Sequence, residues 1–133
     1  MTHEARIEEL AARAERDRAA FDPPADPPDE ERALSYLREG VGPAVAVYLD
    51  ARTGDDPVRF SRESFDDLEA AMNGWLELYA ACYGVDVDAE FTVREAAELL
   101  RETHNVADVA YLLTQVPADG AVGSVDVPDP GGP

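Results

Sequence analysis

Through the middle of this chain, apolar residues recur every three or four positions, the spacing that puts them on one side of an α-helix. The clearest run is 62–83, where Phe65, Leu68, Met72, Trp75, Leu76, Tyr79 and Tyr83 keep that rhythm. Ser64 is placed to cap its start, and Gly84 to take the left-handed position after its end. This run carries the only tryptophan, so the pattern predicts a helix that serves as the spine of the core. Before it, a helix is predicted from about Asp29, with Asp29, Glu30 and Glu31 favourable at the positive pole of its dipole. Leu34 and Leu37 should face inward, Gly40 should end the helix and Gly42-Pro43 should break the run. After the spine, Thr92-Val93-Arg94-Glu95 reads as a capping box that opens a helix over 93–103, with Val93, Ala96 and Leu100 on its buried face. His104-Asn105 interrupts that helix. Asn105 can then cap a last one, with Val106, Val109, Ala110, Leu113 and Val116 inward and Pro117 ending it.

Residues 44–60 support two patterns. Val45, Tyr48 and Leu49 form one face of a helix begun by Pro43 and stopped by Gly54. Val45, Val47 and Leu49 also alternate as a strand that could turn at 53–56 into a second strand at 58–60. The helix fits slightly better. The fold class expected is therefore mainly α, a small bundle of about five helices with a short β-hairpin at 44–60 as the local alternative.

The ends of the chain differ from the middle. Residues 3–21 predict an amphipathic helix whose apolar stripe is only Ile7, Leu10, Ala14 and Phe21. Such a seam is too poor to hold a helix alone in water, so the helix must dock on its own domain or on another chain. These four side chains are the candidate partner-binding residues, for a protein partner or for self-association. Residues 22–28, Asp-Pro-Pro-Ala-Asp-Pro-Pro, read as a semi-rigid linker between this N-terminal arm and a core domain at 29–117. Residues 118–133 are rich in Gly, Pro and Asp and are expected to be a disordered tail.

Charge changes the picture of where such a bundle is stable. The 133 residues carry 29 Asp and Glu against 11 Lys and Arg, and all 11 are arginine, for a net charge of −18. That charge drives a compact fold apart in dilute buffer, whereas at about 1 M salt the screening length shrinks to roughly 3 Å. Excess acid, absent lysine and abundant Ala and Val make the composition similar to that of cytosolic proteins from salt-in halophilic archaea. That resemblance implies a cytoplasmic protein surrounded by non-specifically bound solvent cations. One cysteine, Cys82, excludes an internal disulfide and a cysteine-based zinc site. No apolar run approaches the roughly 20 residues of a membrane span.

Few residues suggest chemistry. The segment Thr92–Leu100 resembles the first helix of MerR- and excisionase-type helix-turn-helix domains, which implies a DNA-linked regulator built on residues 92–116. The sequence then departs from that pattern. The expected Gly turn is missing, and no arginine follows Arg101, whereas a recognition helix needs cations for phosphates. Asp86, Asp88 and Glu90 alternate as in a calcium loop, but Phe91 stands where Gly is required and Ala97 where Glu is required. Cys82, His104 and Asn105 are the residue types of a thiol nucleophile, its base and its orienter, yet no spacing unites them. A pocket joining Asp50, Arg52, His104 and Asn105 would instead favour a small enzyme. No cofactor or metal is implied. The sequence thus points to a non-enzymatic, cytoplasmic interaction or regulatory protein, with the regulator and the small enzyme as its alternatives.

Overall fold

Side chains that stop or start backbone hydrogen bonding set most of the helix ends in the computed structural model, which describes residues 2–53 and 60–117. Helix α1 spans His3–Ala20 and is capped by Thr2, whose hydroxyl accepts the Ala5 N–H. Helix α2, Glu30–Tyr36, is capped by Asp29. A wide π turn, Leu37–Val41, carries it without interruption into α3, Gly42–Thr53. Helix α4 spans Arg62–Cys82, α5 spans Val93–Thr103 and α6 spans Val106–Thr114. With α2, the π turn and α3 taken as one rod, the described residues form five helices and no strand. The protein is a small, mainly α bundle.

Helix α4 is the spine, as its pattern predicts: Leu68, Met72, Trp75, Leu76 and Tyr79 are all buried. Its start differs from expectation by one turn. Ser61 is the cap and accepts the Ser64 N–H, so Ser64 already lies inside the helix. Its end is a Schellman motif: Gly84, at φ 77°, donates to the Ala81 carbonyl and Val85 donates to that of Ala80.

The break expected at Gly40 and Gly42-Pro43 does not occur. Pro43 has no N–H, so the Glu39 carbonyl four residues earlier lacks its usual helical donor. Arg13 of α1 supplies one, with Nη2 donating at 2.6 Å. Gly40 lacks a side chain because the Trp75 indole lies against its Cα; a Cβ there would come within 2.6 Å of Cε2. The inward positions of α2 belong to Ala33 and Leu37, while Leu34, expected inside, is 37 % exposed. Residues 42–53 are helical rather than a hairpin strand, and 54–59 lie outside the described residues.

The division of the chain at its proline linker does not carry into three dimensions. Ile7, Leu10 and Ala14 are buried in the same cluster as Leu37, Trp75 and Val109. Polar links fix the register of α1: Trp75 Nε1 donates to Asp17 at 2.8 Å, Arg6 pairs with Asp50 at 3.2 Å and Arg18 with Glu77 at 3.4 Å. The linker is anchored at its two ends, while most of residues 22–28 are exposed. Arg32 donates to the Asp22 carbonyl at 2.8 Å and stacks on Phe21, and Asp29 N–H donates to the Cys82 carbonyl. The expected tail at 118–133 lies outside the described residues.

Between α4 and α5 the chain is extended, and α4 satisfies its backbone. The N–H groups of Ala89, Phe91 and Val93 donate to Glu77, Asn73 and Glu69 at 3.0, 3.0 and 2.9 Å. Asn73 also donates back to the Phe91 carbonyl at 2.9 Å. This ladder sets where α5 begins, and the predicted capping box of Thr92 and Glu95 forms there. Helix α5 then packs beside α3, and α6 folds back on α5.

Candidate functional site

Helices α3 and α5 lie side by side with an open cleft of about 280 Å³ between them. Helix α5 turns Val93, Ala96 and Ala97 into the core, which leaves Arg94, Glu98 and Arg101 along its flank at four- and three-residue spacing. Helix α3 supplies Tyr48, Leu49 and Arg52 from the opposite wall. A second depression, lined by Leu49, Leu100, Arg101 and His104, continues the cleft past the end of α5. The floor is apolar and the rim cationic.

The arginines of this rim are weakly engaged. Arg94 reaches Glu98 at 3.6 Å, with the two side chains 74 % and 64 % exposed, so the pair contributes little. Arg52 lies over the Tyr48 ring at 5.6 Å, and neither it nor Arg101 has a carboxylate within ion-pair distance among the described residues. Elsewhere among the described residues Arg6, Arg18 and Arg32 each pair with an acid, while Arg13, Arg16, Arg38 and Arg62 do not. In a chain with 29 carboxylates and 11 cations, a cleft lined by Arg52, Arg94 and Arg101 against Glu98 alone among the described residues is a local inversion of the surface charge.

Of the four residues that sequence reasoning grouped around His104, the structure brings only two to this cleft. Arg52 lines its wall and His104 its far end. Asp50 turns away to Arg6 of α1, and Asn105 caps α6 by accepting the Ala107 and Asp108 N–H groups. His104 itself ends α5 in the left-handed conformation, φ 56°. Cys82 is enclosed on α4; burial pushes its thiol up from the ordinary value, with Arg32 pulling the other way. Burial likewise raises Tyr79, whose hydroxyl donates to the Val116 carbonyl at 2.7 Å and so ties the end of α6 to α4.

The candidate partner residues of α1 are occupied within the chain: Ile7, Leu10 and Ala14 are buried, and Phe21 packs half-buried against Tyr36 and Arg32. The turn between α5 and α6 is only His104-Asn105, and α6 presents Asp108 and Leu112 to solvent without a cation. The acidic run Asp86–Glu90 is drawn along α4 by its backbone. Among the described residues, no group of three or more His, Cys, Asp and Glu is arranged to hold a metal ion. No helix among them is long and apolar enough to cross a membrane. Sequence reasoning missed the cleft because its walls come from helices some forty residues apart. The available signal was the Arg94–Arg101 spacing on one flank of α5.

Fold and cleft together define a small helical bundle with an arginine-rimmed cleft between α3 and α5. The chain belongs to the family described as a domain of unknown function, DUF8055, whose model matches residues 1–118 and so takes in α1 through α6. No curated protein and no solved structure matches it.

Proposed function

We propose that this protein is a non-enzymatic, cytoplasmic interaction or regulatory protein of a salt-in halophile, and that it engages its partner through the α3–α5 cleft rather than through α1. The observation that supports this reading is the charge inversion at the cleft. Arg52, Arg94 and Arg101 face it against Glu98 alone among the described residues, beside Tyr48, Leu49 and Ala97, with Leu100 in the depression that continues it. Arginine and aromatic side chains over an apolar floor are the groups that carry binding energy at protein interfaces. The apolar seam of α1, the other candidate surface, is already used inside the fold.

The test is affinity capture from a salt-in cell extract at native salt. It uses the wild-type chain, the double variant Arg52→Gln/Arg101→Gln, and a control, Arg16→Gln/Arg38→Gln, whose exposed arginines do not line the cleft. A partner held by the wild type and the control but lost from the cleft variant is the expected result. Capture that is indifferent to the cleft variant overturns the placement of the surface, and absence of any specific partner overturns the interaction reading.

A further inference from the structure

We infer that the α3–α5 cleft is shaped for an acidic amphipathic helix of a partner protein, with carboxylates two turns apart and apolar residues between them on the same face. This deepens the interaction reading above and rests on it. Arg94 and Arg101 are seven residues apart on α5, two helical turns or about 10.5 Å along its axis. A helix lying in the cleft repeats the same distance between its own residues i and i+7. Its two carboxylates can then meet Arg94 and Arg101 while Arg52 closes on them from the α3 wall.

The floor selects the rest of the ligand. Tyr48, Leu49 and Ala97 line the cleft together with its arginines, and Leu100 carries the apolar lining on past Arg101, so an occupant gains by placing apolar side chains between its acids. This is the helix-in-groove mode of recognition, read as spaced anchors on one helix face. A nucleic-acid backbone fits less well. It presents a continuous row of phosphates with nothing to fill the apolar floor, and its affinity comes mainly from counterion release, which molar salt removes. Short-range contacts of planar guanidinium groups with carboxylates, backed by apolar burial, persist better at high salt because they depend on geometry and desolvation as well as on charge.

Among the described residues Glu98 is the one acid lining the cleft, and it sits between the two arginines, 3.6 Å from Arg94. Against an acidic ligand it is unfavourable and it occupies one of the cations. Its removal should therefore strengthen binding, an effect opposite in sign to removal of the arginines.

The probe is a fluorescein-labelled synthetic helix of about four turns, with glutamates two turns apart and leucines between them on one face. Binding is followed by fluorescence anisotropy in about 1 M salt. Wild-type chain should bind it. Arg52→Gln/Arg101→Gln should weaken binding about tenfold or more, and Glu98→Gln should tighten it. The same peptide with Gln for Glu should lose binding, and an oligothymidylate of equal length should not bind. Circular dichroism of each variant confirms that these exposed substitutions leave the helices intact. Failure to bind the acidic peptide, equal binding of its Gln version, preference for the oligothymidylate, or a tighter Arg52→Gln/Arg101→Gln variant overturns the inference. If cleft-dependent capture of a partner persists while the acidic peptide fails, the interaction reading stands and only the chemistry assigned to the occupant falls.

Discussion

Trp75 fills the centre of the bundle, and each of its neighbours is fitted to it. Asp17 accepts its N–H at 2.8 Å, the Arg13 guanidinium lies 5.7 Å from its ring centroid, and Gly40 leaves room for its face. Alanine in a helix is ordinarily about 1 kcal/mol better than glycine. At position 40 its Cβ would enter the indole, and overpacking of this kind costs about 1–3 kcal/mol. Gly40→Ala should therefore destabilise the protein, seen as a lower denaturant midpoint at constant high salt. In a Trp75→Leu background the same change should cost nothing or stabilise. An equal loss in both backgrounds would show that the indole is not what keeps residue 40 a glycine.

The ladder from α4 to the extended segment works through a match of two periods. Glu69, Asn73 and Glu77 are four residues apart, about 6.0 Å per step on a helix, and alternate residues of an extended chain are about 6.6 Å apart. One helix face can thus serve every second N–H of the segment. Asn73 is the central rung, with one bond given and one accepted. Asn73→Ala leaves both Phe91 backbone groups without these partners and should cost about 1–3 kcal/mol. Amide exchange at Ala89, Phe91 and Val93 should accelerate more than at the start of α1, which lies away from the Arg18–Glu77 pair that joins α1 to the ladder. Uniform acceleration throughout the bundle would mean that the segment does not open on its own. The π turn shows a related economy: a proline that should end a helix is kept inside it because Arg13 of another helix takes the carbonyl left over.

At the scale of the whole molecule, charge dominates. Against a net charge of −18, the described residues make four ion pairs, all involving arginine and all partly or largely exposed. Such pairs contribute little individually, so self-repulsion is left to the solvent to screen. Melting followed by circular dichroism should therefore rise in temperature, with greater helix content at the outset, between dilute buffer and about 1 M salt. A melting temperature that stays constant over that range would remove the basis for the proposal that this protein works in a salt-rich cytoplasm.

Local hydrogen bonding and periodicity determined much of this fold from the sequence alone. The buried stripe of α4, the capping box at Thr92, the Asn105 cap and the left-handed Gly84 each depend on residues within a few positions of one another. The mainly helical class follows from them. What depended on distant partners could not be read in that way. Gly40 and Pro43 carry the signals of a helix end, but Trp75 and Arg13, from α4 and α1, decide that the helix continues. Leu34 and Ala33 are adjacent, and only the direction of α2 on α4 chose the smaller one for the core. The stripe of Ile7, Leu10 and Ala14 announced that α1 must be covered, while its cover, the rest of this same chain, was fixed by long-range packing. The cleft is the extreme case: its arginines come from two helices, and only the tertiary fold, by setting α3 beside α5, makes them neighbours.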